Sequence, residues 1–345
     1  MKELQIKDVF LSIDEEAMEV KRLLATEGLE LDPFVEKIVG MYDGEKLVAT
    51  GSVAGNTIRS ICVDHDYRGQ SAINKLMTYL IDYLYRVGKN HIFIYSKPEN
   101  GKSFEYLGFY PLITTDRVLL LDSKRNGIQE FLENITTKDK ENKIVGSIVM
   151  NGNPFTLGHK YLVEKALESC DELYLFVVWE QKSLFPNDVR FRLIEEGLSE
   201  YKQVHVVKGE DYIISSATFP TYFLKDDDDT DVEHAKLDLL IFRDKIAPYL
   251  GITKRFVGDE KISITTRKYN EQMKEILDGK GLDVVEIPRK EKSGKIISAS
   301  YVRDYIRHDR WKEVKEIVPI TTYEFLQSEE AKPIIEKIKR SNTRH

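Results

Sequence analysis

Cysteine is nearly missing from this chain of 345 residues. Cys62 and Cys170 cannot build a disulfide framework, and they lack the paired spacing of a zinc site. A basic excess is missing too. The 51 Lys and Arg residues face 58 Asp and Glu, a formal charge of −7, which leaves no broad basic face for nucleic acid. Long apolar runs are absent, and a stretch such as Leu173–Trp179 is far short of the ~20 residues that cross a bilayer. The opening MKELQIKDVF has no apolar core of the kind a secretion signal carries. These absences predict a cytoplasmic protein with neither nucleic-acid nor membrane partners. Hydrophobic residues make up 41% and charged residues 32%, a globular composition, and the length suits two domains.

Two α/β blocks emerge along the chain. In the first, helical spacing covers Ile13–Thr26. Short β-rich runs follow at Lys37–Tyr42, Leu47–Val53 and Thr57–Val63, with Asp43-Gly44 marking a hairpin turn between the first two. Helix Ser71–Val87, strand His91–Tyr95, short helix Lys102–Leu107 and strand Arg117–Leu121 complete it. Residues 122–142 turn polar around an apolar island, Ile128–Ile135. A boundary near Lys140 gives domains 1–140 and 141–345, joined by a linker or a connecting helix.

Beyond the boundary, strands and helices alternate strictly. Strands at Lys143–Met150, Leu173–Val178, Gln203–Val207, Arg255–Val257 and Asp283–Ile287 are separated by helices at Gly158–Cys170, Asn187–Glu200, Val232–Tyr249 and Thr266–Asp278. A helical section follows from Ser298. The pattern predicts a doubly wound parallel sheet, whose ligands lie in the loops after the strands.

The loop after the first of these strands reads Asn151-Gly152-Asn153-Pro154-Phe155-Thr156-Leu157-Gly158-His159. Its glycines allow close backbone approach, and the amides of the new helix favour an anion. His159 in the first turn either caps the helix or donates a hydrogen bond to a phosphate oxygen. Late in the chain, Pro288–Lys295 carries the four cations Arg289, Lys290, Lys292 and Lys295. Ser298 then reads as an N-cap, Ser300 lies in the first turn, and Arg303 lies one turn on. Hydroxyls, amides and cations of this kind suit a triphosphate. The run Lys225–Asp229 reads as a solvated loop and stays outside the site.

Thr156-Leu157-Gly158-His159 and Ile297-Ser298-Ala299-Ser300-Tyr301-Val302-Arg303 together resemble the two motifs of the nucleotidyltransferase superfamily, H/T-x-G-H and I-S-S-T-x-x-R. The resemblance implies a Rossmann-like domain that binds ATP with Mg²⁺ and directs attack onto the α-phosphate. His159, Ser300 and Arg303 would act in catalysis. Gly152, Asn153, Phe155, Thr156, Gly158, Ser298, Lys295 (or another of the four cations) and, after a later strand, Gly258 and Asp259 would hold the nucleotide. No metal ligands are assigned.

The first block resembles the GNAT acetyltransferase family, an α+β fold. This resemblance rests on Asp66-Tyr67-Arg68-Gly69-Gln70-Ser71-Ala72-Ile73 before a helix and on Phe104, Tyr106, Gly108 and Phe109 in its tail. Ser71 and Ile73 stand where that family's phosphate loop has Gly and Gly or Ala, which argues against an efficient acetyltransferase. The two blocks in this order, with Tyr269-Asn270-Glu271-Gln272-Met273, resemble the citrate lyase ligase family. That likeness implies activation of acetate as acetyl-adenylate. The acetyl group then passes to the CoA-like prosthetic group on the citrate lyase acyl carrier subunit, releasing AMP. Ser215–Leu224 would line the acetate pocket, or is a loop packed by its own aromatics. The first block would dock the acceptor arm. Rival expectations are an adenylyltransferase for nicotinamide mononucleotide or phosphopantetheine, an active acetyltransferase with a nucleotide-sensing tail, and a non-catalytic binding module.

Overall fold

The computed structural model describes residues 4–68, 71–136, 142–214, 219, 227–260, 264–292 and 294–341. The chain forms two compact units, residues 1–130 with 220–237, and residues 131–219 with 238–345. The division thus falls at Glu130/Phe131 instead of near Lys140, and a later segment returns to the first unit. Local contacts account for this. The Phe131 ring lies 5.3 Å from that of Tyr212 in the second unit, tilted by 39°, whereas Glu233 accepts a 2.7 Å hydrogen bond from Thr115 Oγ1 within the first.

In the first unit, β1 (Gln5–Val9), α1 (Asp14–Thr26), β2 (Lys37–Asp43), β3 (Lys46–Ala54), β4 (Thr57–Val63), α2 (Ala72–Arg86), β5 (Phe93–Ser96), α3 (Gly101–Glu105), β6 (Tyr110–Thr114) and β7 (Leu119–Asp122) follow one another. The sheet order is β1-β2-β3-β4-β5-β7-β6. Every pair is antiparallel except β4 with β5, which are parallel and paired only at Thr57↔Phe93 and Ile58↔Ile94. Beyond Ile58 the two strands part, helped by an irregularity in β4 where Ser60 has φ +50°. Leu76, Met77, Leu80 and Leu84 recur along the buried face of α2 and pack on this sheet. Strands β1 and β6 are the two edges, and neither was expected from the sequence.

Helix α4 (Gly127–Ile135) occupies the apolar island, so the expected connection is a helix there; residues 137–141 lie outside the described part. The second unit continues with β8 (Val145–Met150), α5 (Leu157–Leu167), β9 (Glu172–Val177), α6 (Asn187–Gly197), β10 (Val204–Lys208) and α7 (Asp227–Ile241). Then come α8 (Ala247–Leu250), β11 (Ile252–Gly258), α9 (Ile264–Leu277), β12 (Asp283–Ile287), the two-residue strands β13 (Glu291–Lys292) and β14 (Lys295–Ile296), and helices α10 (Ala299–Arg307), α11 (Trp311–Ile317), α12 (Ile320–Leu326) and α13 (Lys332–Arg340). The sheet is wholly parallel in the order β10-β9-β8-β11-β12.

Alternate residues of β9 serve opposite faces. Leu173, Leu175 and Val177 join the core with α5, α6 and α10–α13, while Phe176 meets Phe242 edge-on at 6.2 Å. Both faces are covered, as doubly wound sheets require. The acidic run expected as a loop is, from Asp227 onward, the start of α7, while residues 225–226 lie outside the described part. The expected helix Val232–Tyr249 is instead α7, a π-helical turn at Phe242–Ile246, and α8.

Candidate active site

Strand β8 ends in a loop that must reverse tightly before α5. Gly152 takes φ +62°, and a Cβ there would stand 2.8 Å from Ile194 Cδ1, so this is a position for glycine. Asn153 is buried, and its Oδ1 accepts from Phe185 N at 3.0 Å. Beneath the loop lies Arg190, fully buried at the start of α6. It donates to the carbonyls of Asn151 (2.8 Å), Val178 (2.8 Å), Glu180 (2.7 Å) and Phe185 (3.1 Å), and to Asn151 Oδ1 (2.5 Å). One cation thereby fixes the carboxyl ends of two strands and the segment between them. The sequence reading missed Arg190. Its signal was a basic residue on the apolar stripe Arg190, Leu193, Ile194, Gly197, all of them buried.

Thr156 caps α5. Its Oγ1 accepts from His159 N at 3.3 Å, and its own backbone N–H donates to His159 Nδ1 at 3.1 Å. A backbone N–H can only donate, so Nδ1 is the unprotonated nitrogen and Nε2 of the neutral ring carries the proton. Burial, and then the charge of Arg289, lower the pKa of His159 from 6.5 to about 4. At neutral pH the residue is an uncharged donor at a helix N-terminus. Phe155, expected at the nucleotide, is instead fully buried; it stacks on His159 at 5.8 Å and packs over Gly197. It supports the imidazole from beneath.

The late motif meets this loop directly. A Cβ on Gly158 would stand 2.7 Å from the carbonyl oxygen of Ile297, so the two segments touch backbone to backbone. Ser298 caps α10, its Oγ accepting from Tyr301 N at 3.3 Å. Arg303, buried on the same helix, donates through Nη1 to the carbonyl of Asn153 and through Nη2 to Ser300 Oγ at 3.4 Å. Burial, and secondarily Arg307, bring the pKa of Arg303 down to about 10, which leaves it charged at neutral pH. Ser300 is exposed in the first turn. Thr156, Gly158, His159, Ser298, Ser300 and Arg303 therefore come together, and two helix N-termini open at one place.

Of the four cations, Arg289 lies near enough to His159 for its charge to act on the imidazole. Its N–H donates to Asp259 Oδ1 at 2.8 Å, its Nε to the Asp259 carbonyl at 2.7 Å, and its Nη2 to Glu260. Asp259 thus positions Arg289, and the Gly258 carbonyl accepts from Asn270 Nδ2 at 3.2 Å. Lys295, the expected contact, is exposed on the hairpin of β13 and β14. Lys292 pairs with Glu316 at 3.1 Å, and Lys290 lies 5.4 Å over the Tyr161 ring. Apart from Phe219, which is buried, the expected acetate-pocket stretch 215–224 lies outside the described residues. Among the described residues no group of three or more His, Cys, Asp and Glu is arranged to hold a metal ion.

The first unit has a cleft of its own, about 360 Å³, where β4 and β5 part. Cys62, Ile73, Tyr95 and Lys97 line it, and an Arg68–Glu27 ion pair of 2.5 Å spans part of its wall. Ser71 holds φ +60° before α2, so the backbone keeps the left-handed turn that glycine would take, at a cost of about 1–2 kcal/mol. Gly69 and Gln70 lie outside the described residues. Burial raises the Cys62 thiol pKa to about 11, which makes it a poor nucleophile.

Fold and site together define a two-unit α/β protein with an anion-receptive centre at the strand ends of a parallel sheet. Residues 145–326 match the citrate lyase ligase C-terminal domain family. The citrate (pro-3S)-lyase ligase of Haemophilus influenzae is 41% identical over 315 residues, 89% of this chain and 94% of that protein. The Klebsiella pneumoniae enzyme of the same name is 39% identical over 312 residues, covering 89% and 91%. The chain belongs to the citrate lyase ligase family, a family of ligases. Among solved structures, Escherichia coli ElaA aligns with 35% of this chain and 100% of its own, at 11% identity and a TM-score of 0.32. Among the described residues no helix is long and apolar enough to cross a membrane.

Proposed function

We propose that the protein is an AMP-forming acid–thiol ligase that reactivates citrate lyase. A carboxylate oxygen of acetate attacks the α-phosphorus of ATP. The bond from that phosphorus to the bridging oxygen breaks, and pyrophosphate leaves. The thiol of the CoA-like group on the lyase's acyl carrier subunit then attacks the acetyl carbonyl carbon. A thioester forms, AMP departs with the bonding pair, and the thiol proton goes to solvent.

The observation that carries this reading is the backbone contact of Gly158 with Ile297, which opens two helix N-termini side by side. Such chemistry needs positioning and charge stabilisation more than a covalent side chain. His159 Nε2–H and the amides of α5 and α10 would hold phosphate oxygens. Ser300 and Arg289 would contribute a hydroxyl and a cation, while Arg303 positions the Asn153 loop. Mg²⁺ would arrive with the phosphates, offsetting their charge. The cleft of the first unit would take the acceptor's CoA-like arm.

Labelled pyrophosphate should exchange into ATP when acetate is supplied, and not when nicotinamide mononucleotide or phosphopantetheine replaces it. Exchange with only one of those two would make the protein an adenylyltransferase. Arg68→Glu should raise KM for the acyl carrier without changing this exchange; equal loss of both activities counts against docking in the cleft.

A further inference from the structure

Arg255 lies in β11, between neighbours on both sides of the sheet, and is 2% exposed. Its guanidinium carbon sits 4.3 Å from the centre of the Phe242 ring. No hydrogen bond is made by its side chain among the described residues, and Nη1 is sealed from solvent without a partner. The nearby carboxylate is already engaged: Asp238 Oδ1 accepts from Ile214 N at 2.9 Å, and Oδ2 from the Tyr269 hydroxyl at 2.5 Å. Arg190, the other arginine so deeply buried, has five acceptors. A buried charge without acceptors is costly, and proteins ordinarily pair it. Burial accordingly lowers the pKa of Arg255, against the opposing pull of Tyr269 and Asp238.

We propose that Arg255 receives the carboxylate of the acyl substrate. The planar fork of a guanidinium matches a carboxylate's two oxygens, and an enclosed cation over a phenyl ring suits a small anion with little attached carbon. This site rests on the ligase reading, which supplies acetate as such an anion. The π-helical turn Phe242–Ile246 brings the phenyl ring to the guanidinium, and such turns concentrate at functional sites. Three residues further along β11, ~10 Å of strand, is Gly258, packed against Arg289 at the phosphate end. Arg255 would therefore hold the attacking carboxylate on the strand that leads to the phosphate end, and so set the preference for short acids.

Arg255→Met keeps an unbranched stem and removes the guanidinium with its charge. In acetate-dependent pyrophosphate exchange its KM for acetate should rise about 30-fold or more, the order of a lost charge-assisted bidentate pair, while KM for ATP stays within about twofold. Arg255→Lys, which keeps the charge but not the fork, should fall between, and it serves as the probe if the Met variant does not fold. Sodium acetate, but not acetamide, should raise the Tm of the wild type, and this shift should vanish in Arg255→Met. Unchanged KM for acetate, an equal rise in both KM values, or an acetate shift retained by Arg255→Met would each overturn the proposal. Wild-type protein that exchanges pyrophosphate with no acetate dependence would instead overturn the ligase reading, and the Tm comparison would still judge Arg255.

Discussion

His159 uses different edges of one ring for the cap and for the ligand. Nδ1 is taken by Thr156 N–H, so any phosphate must meet Nε2–H. His159→Ala should lower pyrophosphate exchange by about 10²–10³, the usual loss of one transition-state donor, and a well-folded variant of normal activity would refute the role. The same ring predicts a pH dependence. With a folded pKa near 4 and the ordinary value of 6.5 when unfolded, the unfolded chain binds the extra proton between them. Stability therefore falls as pH drops from 6.5 to 4, by up to about 3 kcal/mol, and His159→Gln should flatten this loss in urea titrations across that range. Gly158→Ala would push a methyl into the Ile297 carbonyl. It should cost about 1–3 kcal/mol and raise KM for ATP, whereas unchanged unfolding and kinetics would show that the two segments part freely.

The elements carrying the motifs were legible because their ends are written in local chemistry: Thr156 and Ser298 as caps, Gly152 for the positive φ. What lay beyond reach was whatever depends on several elements at once. Strands β1 and β6 are sheet edges. Gln5–Val9 is polar and largely exposed, and Tyr110–Thr114 contains a proline, so neither has the apolar alternation of an inner strand. Phe155, read as a ligand contact, is a core residue because α6 brings Gly197 over it. Arg190 could not be placed without knowing that two strand ends meet beneath it. Arg190→Met would orphan its carbonyl acceptors, and removing one partner of a buried charged network costs about 3–5 kcal/mol. The midpoint of urea unfolding should drop accordingly; an unchanged midpoint would mean water replaces the guanidinium without penalty.

For the molecule as a whole, the order of the chain and the order of its units differ. The sequence suggests a clean cut near Lys140, because composition changes there. The structure returns residues 220–237 to the first unit, with Glu233 buried and bonded to Thr115 and Ala235 and Leu237 also buried. Such a return has no local signature, since α7 carries acidic and apolar residues in an order that fits any surface helix. It has a thermodynamic consequence. A fragment comprising residues 1–140 keeps all seven strands of its sheet but loses Glu233, the buried partner of Thr115, and losing the partner of a part-buried hydroxyl costs about 1–3 kcal/mol. The isolated fragment should therefore unfold at lower urea than the same unit within the intact chain, as read by fluorescence of tyrosines in α2. Adding a peptide of residues 219–240 should recover part of the difference. A fragment as stable as the intact unit would show that the returning helix only rests on it.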